Sequence, residues 1–353
     1  MGDRGELSHE RCAGVILSAG RGTRMRGLSE LSPKPLLPLC GRPLIEWSLS
    51  ALSEAGVTRV GVNTHHLSEQ LKSALSARQI TWSDEPVLQG TGGGVRALWA
   101  RLLQRGPTPS ALLCLNGDAW FDFPLHPLLE ANQARPELDA TLMLRATSYD
   151  DPFGRVGLNA QGEVVRIAEI EGPRAHEEVS VGAFLGAQLL SPQLIASIPE
   201  GPCDLFRSAF KQRFAEGARF GSCLAPSAHL WADVGTPERY LDLHRELIER
   251  LNSDALPPAI QTQLPQLKLR RSSAGGLIAL MEGAHCDEGA HVERFAFLYP
   301  GAQLLEGLLV ERGVLWPHAR PEGHPTPQSG VWTTRGFIEA SGGLNDGAVG
   351  ARR

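Results

Sequence analysis

Through its first 120 residues the chain alternates short apolar runs with stretches of helical period. Ala13-Gly-Val-Ile-Leu17 is short, apolar and partly β-branched, the pattern of a strand buried on both faces. From Pro43 to Ala55 apolar residues recur at helical spacing, with proline in the first turn and Gly56 as the stop, which predicts a helix. The same reasoning predicts strands over 59–63, 79–83 and 111–115 and helices over 67–76 and 95–103. Such alternation builds βαβ units around a parallel sheet, whose ligands bind at the carboxyl ends of the strands. The segments 18–26, 63–66 and 116–118 all fall there. Between 140 and 170 the pattern changes to short strands (140–145, 154–158, 164–167) separated by turn residues, which predicts a β-rich insertion. Helical patterns return at 191–198, 205–216 and 237–251.

A different period governs the tail. Every sixth residue from Leu280 is apolar: Leu280, Cys286, Val292, Leu298, Leu304, Val310 and Trp316. Small or apolar residues fill the column Ala284, Ala290, Ala296, Ala302, Leu308 and Val314, and glycines stand at 283, 289, 301, 307 and 313. Hexads repeating in phase predict a β-helix-like coil of about two turns, too short to hide its own ends, so self-association through the tail is expected. The competing reading is a set of antiparallel hairpins with regular turns. The expected organisation is therefore a catalytic domain over 11–255, a linker over 256–275, the hexapeptide unit over 276–320, and an irregular tail over 321–353 whose end is disordered.

Composition narrows the setting. A formal net charge of −5 argues against a nucleic-acid or membrane-surface partner. The first ten residues are polar, and no stretch of about eighteen apolar residues occurs, so a cytoplasmic location is expected. The six cysteines are scattered, with no Cys-x-x-Cys pair, and are expected to be reduced packing residues.

The chemistry is carried by Leu17-Ser-Ala-Gly-Arg-Gly-Thr-Arg-Met-Arg26 and by Ser32-Pro-Lys-Pro-Leu-Leu-Pro38. Gly20 and Gly22 let main-chain N–H groups approach an anion, and Arg21, Arg24, Arg26 and Lys34 concentrate positive charge. A polyphosphate ligand follows, with a tight turn carrying solvated arginines as the alternative. Neither G-x-x-x-x-G-K-[ST] nor G-x-G-x-x-G is present. Asn116-Gly-Asp118 ends a buried strand, and Asp233 precedes a Gly-Thr-Pro helix start; a divalent cation on phosphates needs one or two such carboxylates. Taken singly, each aspartate is more often a turn or cap residue than a metal ligand.

Together these segments resemble the sugar-1-phosphate nucleotidylyltransferases, whose loop reads G-x-G-T-R-[ML] followed by P-K-P-[LM]-[LV]-P. The resemblance spans residue 12 to about 250 and implies an α/β, Rossmann-like nucleotide-diphospho-sugar transferase domain with a mixed, mostly parallel sheet, here joined to the hexapeptide tail. It implies Arg24, Lys34 and Asp118 as catalytic residues and Mg²⁺ on Asp118 and Asp233. Ser18, Ala19, Gly20, Gly22, Thr23, Asn63, Gln89, Gly90 and Asn116 would bind the nucleotide, with His65 near the same pocket. Gly154, Glu169 and Gly182 would meet the sugar phosphate. Family members often carry E-K-P where this chain has Glu169-Ile170-Glu171, so the lysine is missing, and Arg155, Arg166 or Arg174 would have to replace it.

The implied reaction is attack of a sugar 1-phosphate on the α-phosphorus of an NTP, with release of pyrophosphate. GTP with mannose 1-phosphate is the first expectation, from the catalytic domain plus tail. A uridylyltransferase using UTP with N-acetylmuramate 1-phosphate or glucose 1-phosphate competes, because Gly92-Gly-Gly94 and the lost lysine resemble the muramate enzymes. A non-catalytic paralogue that binds a nucleotide sugar is the third reading.

Overall fold

Why the chain takes its expected course is clearest at the strand Cys12–Leu17, whose interior residues are buried and which is flanked in parallel by Arg59–Thr64 and Ala111–Asn116. The computed structural model describes residues 12–149, 155–322 and 326–340. Phe153, Gly154 and residues 342–353, for which disorder was expected, lie outside the described residues. Contacts divide the chain into two compact units. One takes the chain up to Arg21, Ile45–Ala119 and Phe123–His229; the other takes Gly22–Leu44, Trp120–Asp122 and the chain from Leu230 onward.

The first unit is built on one ten-stranded sheet. Its order by residue number is 170–171, 163–167, 220–224, 140–146, 180–190, 111–116, 12–17, 59–64 and 80–84, with 155–158 pairing 163–167 and 180–190. The last four run parallel, as the βαβ pattern predicts. The expectation of a mostly parallel sheet is corrected by Ser180–Leu190, which runs antiparallel to both 111–116 and 140–146. This strand is apolar on both faces and interrupted by glycines, so it carries no alternating signal. The strands of 140–167 join the same sheet through it, so they extend the sheet rather than forming a separate insertion. The helix expected to begin at Val95 begins at Gly90. That over 205–216 is a π-helical turn, Phe206–Phe210, continuing into Lys211–Ala215. A buried carboxylate, Glu163, is gripped by Arg135, Arg174 and Arg219. Burial pushes its pKa up, and the three guanidinium hydrogen bonds outweigh this, bringing it to about 2.

In the second unit, Leu277–Met281, His291–Leu298, Leu309–Leu315 and Gln328–Thr333 stack in parallel. Leu280 pairs with Leu298, and His285 with Gln303, so one layer is 18 residues, three hexads, long. Val292, Leu298, Leu304 and Val310 enter one apolar core with Ala290, Ala296, Ala302 and Leu308. A register shift between Val292 and Phe295 then shortens the repeat, and Leu315 takes the core place expected for Trp316. Two expectations are corrected. Leu267–Arg271, placed in a linker, pairs antiparallel with the first layer, and Gln328–Thr333 with Gly336–Glu339, placed in an irregular tail, completes the other end. Each end of the six-stranded sheet is thus formed by an antiparallel strand of this chain.

The helix Pro237–Asn252, capped by the Thr236 hydroxyl, belongs with this unit rather than with residues 11–255. Its His244 is wholly buried against Phe297 and Tyr299. Burial lowers the pKa of His244 from 6.5 to about 4, opposed by the carbonyl of Tyr240. Because the folded value lies below the ordinary one, the neutral imidazole contributes stability in full above about pH 6.5, and that contribution is lost as pH falls toward about 4. Between pH 7 and pH 4.5 the wild type should lose roughly 2 kcal/mol more unfolding free energy than His244→Gln. Urea titrations of both proteins check this, and parallel pH profiles would contradict it.

Candidate active site

In the first unit the strand ends set the site. Leu17 is in register with both Asn63 and Asn116, so the segments beginning at Ser18, His65 and Gly117 leave the sheet within one residue of the same level. The Ser18 amide donates to Asn63 Oδ1 at 2.6 Å, and Asn63 Nδ2 donates to Glu85 Oε1 at 2.7 Å. Glu85 Oε2 accepts the Gln89 amide at 2.9 Å, just ahead of the helix Gly90–Leu103. Asn63, expected at the base pocket, is therefore buried with both amide heteroatoms engaged inside the protein. Glu85, 3% exposed, was not anticipated. Its only sequence signal is an acidic residue directly after a strand and before a glycine-rich turn.

That turn is not a flexible connection. The Gly92 amide donates to Cys203 O and the Cys203 amide to Gln89 O, each at 2.9 Å, and Leu205 N donates to Thr91 Oγ1 at 2.8 Å. Gly90 has φ of +68°, and a Cβ on it would come within 2.5 Å of Cys203 O. Gln89 Nε2 is turned onto Val87 O at 2.8 Å, and His65 Nδ1 lies 2.7 Å from Glu85 O.

Asp118 is half-buried and follows Gly117, whose amide donates to Leu17 O at 2.9 Å. A Cβ at 117 would meet Ser18 Oγ at 2.4 Å, so only glycine lets the two strand ends close on each other here. Asn116 lies beside Gly186, where the strand Ser180–Leu190 bulges with φ of +78°. Ala19 is buried and Gly20 is exposed with open space around it.

On the expected sugar side, Glu169 is exposed and pairs with Arg207 at 3.1 Å. Ile170 is buried in the apolar core, so a lysine there would have to bury its charge. Among the expected substitutes, Arg166 is bidentate on Glu178 at 2.8 Å and donates to Ala168 O, and Arg174 is taken by Glu163. Arg155 donates to Tyr149 O at 2.7 Å. Gly182 is buried within the sheet against Leu144.

The second unit carries the rest of the loop. Gly22, at φ of +63°, caps the one-turn helix Thr23–Met25, which leaves Thr23 and Arg24 exposed. Gly22 rests on the Cβ of Lys34, and Lys34 is buried at the start of the turn Lys34–Leu36. Asp233 is paired with Arg239, a partner that sequence reasoning missed. A Cβ on Gly235 would stand 3.2 Å from both Asp233 carboxylate oxygens and 3.3 Å from Arg24 Nη2. The absence of that Cβ leaves a cradle bounded by a hard anionic donor and a guanidinium. With Arg239 also on Asp233, such a cradle suits a phosphate oxygen.

Comparison with known proteins identifies the family. The model of the nucleotidyl transferase family matches residues 13–250. The chain is 32% identical over 249 residues to an N-acetylmuramate alpha-1-phosphate uridylyltransferase of Caulobacter vibrioides, covering 67% of this chain and 96% of that one. It is 28% identical over 313 residues to a mannose-1-phosphate guanylyltransferase of Mycobacterium tuberculosis, covering 85% of this chain and 81% of that one. The solved structure of HddC from Yersinia pseudotuberculosis complexed with GMP-PN shares the fold, with a TM-score of 0.50 at 19% identity over 67% of this chain and 99% of that chain. The chain belongs to the nucleotidyl transferase family. Within it, the protein is a sugar-1-phosphate nucleotidylyltransferase, an enzyme that joins a nucleotide to a sugar phosphate. Among the described residues no helix is long and apolar enough to cross a membrane.

Proposed function

We propose that the enzyme transfers GMP from GTP to mannose 1-phosphate, releasing pyrophosphate. One observation carries the choice. The alignment with the guanylyltransferase of Mycobacterium tuberculosis covers 313 residues, more than the span 13–250 holds, so it runs into the stacked C-terminal strands. The uridylyltransferase alignment of 249 residues accounts for little beyond that span. UTP with N-acetylmuramate 1-phosphate is the second reading, favoured by the higher identity of 32%.

Phosphate oxygens are already nucleophiles at neutral pH, so the protein's task is to align two polyanions and neutralise the charge developing between them. In this reading Arg24 and the amides following Ser18 hold the leaving pyrophosphate, while Lys34 holds phosphate at the reacting centre. Asp118 and Asp233 would hold Mg²⁺, which neutralises phosphate charge when bound. Gln89 and Gly90 face the base, and Glu169 with Arg207 meets the sugar phosphate. In this reading the region matched by the family, residues 13–250, is joined to a hexapeptide β-helix-like unit, in a cytoplasmic enzyme.

Pyrophosphate release from a panel of NTP and sugar 1-phosphate pairs tests the proposal. GTP with mannose 1-phosphate should give the highest kcat/KM. Preference for UTP with N-acetylmuramate 1-phosphate would install the second reading, and tight nucleotide-sugar binding without turnover of any pair would leave a non-catalytic paralogue.

A further inference from the structure

Lys34 sits on a segment whose Pro38 carbonyl is held by two tyrosines of the C-terminal part of the chain. The turn Lys34–Leu36 is closed by the Leu36 amide on Pro33 O at 2.8 Å and the Leu37 amide on Lys34 O at 3.1 Å. It leads into a two-residue hairpin, Pro38–Leu39 against Arg42–Pro43, with Cys40 and Gly41 at φ of 48° and 92°. Pro38 has no N–H, so its carbonyl is its one backbone polar group. That oxygen accepts from the Tyr299 hydroxyl at 2.7 Å and also from the Tyr240 hydroxyl.

Both tyrosines are buried and themselves held. Trp316 Nε1 donates to the Tyr240 oxygen at 3.1 Å, and His244 Nε2 lies 3.0 Å from the Tyr299 oxygen. His244 Nδ1 lies 3.0 Å from Tyr240 O. Gly41 seats the hairpin tip on Pro265 and Met281, where a Cβ would fall 2.8 Å and 3.0 Å from their side chains. A buried array of hydroxyls converging on a single loop carbonyl costs desolvation that an apolar contact would avoid.

We propose that Tyr299 and Tyr240 are positioning residues that fix the Lys34 turn through the Pro38 carbonyl, so that the C-terminal strands take part in the placement of the phosphate-binding lysine. The link to turnover rests on the function proposed above. The link to loop order does not.

The test is Tyr299→Phe in the full chain, read by hydrogen–deuterium exchange and by kinetics. The variant keeps the ring and removes one donor from Pro38. The Leu36 and Leu37 amides should exchange about tenfold faster, with Val292 and Leu298 in the strand core unchanged. kcat should fall about tenfold with the KM for sugar 1-phosphate preserved. Phe297→Leu, which disturbs a ring 4.9 Å from that of Tyr299 without touching the carbonyl, should loosen the strands and leave the exchange of Leu36 and Leu37 at the wild-type rate. If Tyr299→Phe does not fold, Tyr240→Phe removes the other donor and is read in the same way. Wild-type exchange at Leu36 and Leu37 in the tyrosine variant, or acceleration spread equally over the strand core, overturns the proposal. An inactive wild type with accelerated loop exchange in the variant would refute the function and uphold the positioning.

Discussion

Asp118→Asn is expected to fold normally and to lower Mg²⁺-dependent nucleotidyl transfer by about two to three orders of magnitude. The backbone at this position is fixed from outside the side chain, because the Gly117 amide is bonded to Leu17 O and glycine alone fits against Ser18. Asparagine matches aspartate in shape and is as good a turn or cap residue. A purely structural role therefore survives the substitution. A role that depends on negative charge beside a cation does not, since a neutral amide oxygen is a weak substitute for a carboxylate on Mg²⁺. Thermal melting and pyrophosphate release measured over a Mg²⁺ titration check both halves. Near-wild-type turnover in a stably folded variant would remove Asp118 from the metal assignment.

The parts legible in the sequence are those whose signal is local. The strand at 13–17, the loop after it and the helix start after Asp233 each follow from a few adjacent residues, and all three form where expected. The period-six columns of the tail are visible because apolar and small residues recur at fixed spacing, and the strands there pair in parallel 18 residues apart. What stayed hidden depends on partners far along the chain. Nothing adjacent to the glycines at 90, 92 and 93 shows what they pack against, yet Cβ atoms there would collide with Cys203 or Gly201. Their purpose is written about a hundred residues later. Leu267-Lys-Leu-Arg-Arg271 reads as a linker until the neighbouring layer offers it an edge to pair with. Ile170 looked like a lost phosphate ligand, whereas the structure places it among core side chains and puts a different cation, Arg207, beside Glu169.

Glu85→Gln should cost about 2–3 kcal/mol of stability and most of the activity, and the reason is a matter of hydrogen-bond polarity. Two backbone donors, the Ser18 and Gln89 amides, stand at the ends of a relay through Asn63 and Glu85. Backbone N–H groups cannot reverse. Asn63 passes the polarity along, accepting from Ser18 and donating to Glu85, so position 85 must accept at both ends. A carboxylate does this and a primary amide cannot. Whichever way glutamine is turned, and whichever way Asn63 is flipped, two donors meet inside a buried site. In the proposed function the loop that starts at Ser18 holds phosphate, so the mismatch is transmitted to substrate binding. The same logic identifies a rescue. Asn63→Asp alone sets two carboxylates against each other, but combined with Glu85→Gln it moves the acceptor-only group one place along the relay and matches every donor again. Urea unfolding of the wild type, both single variants and the double variant should show each single variant destabilised and the double variant recovering most of the loss, a coupling of about 2 kcal/mol or more. Additive losses in the double variant would show that the relay does not hold Ser18.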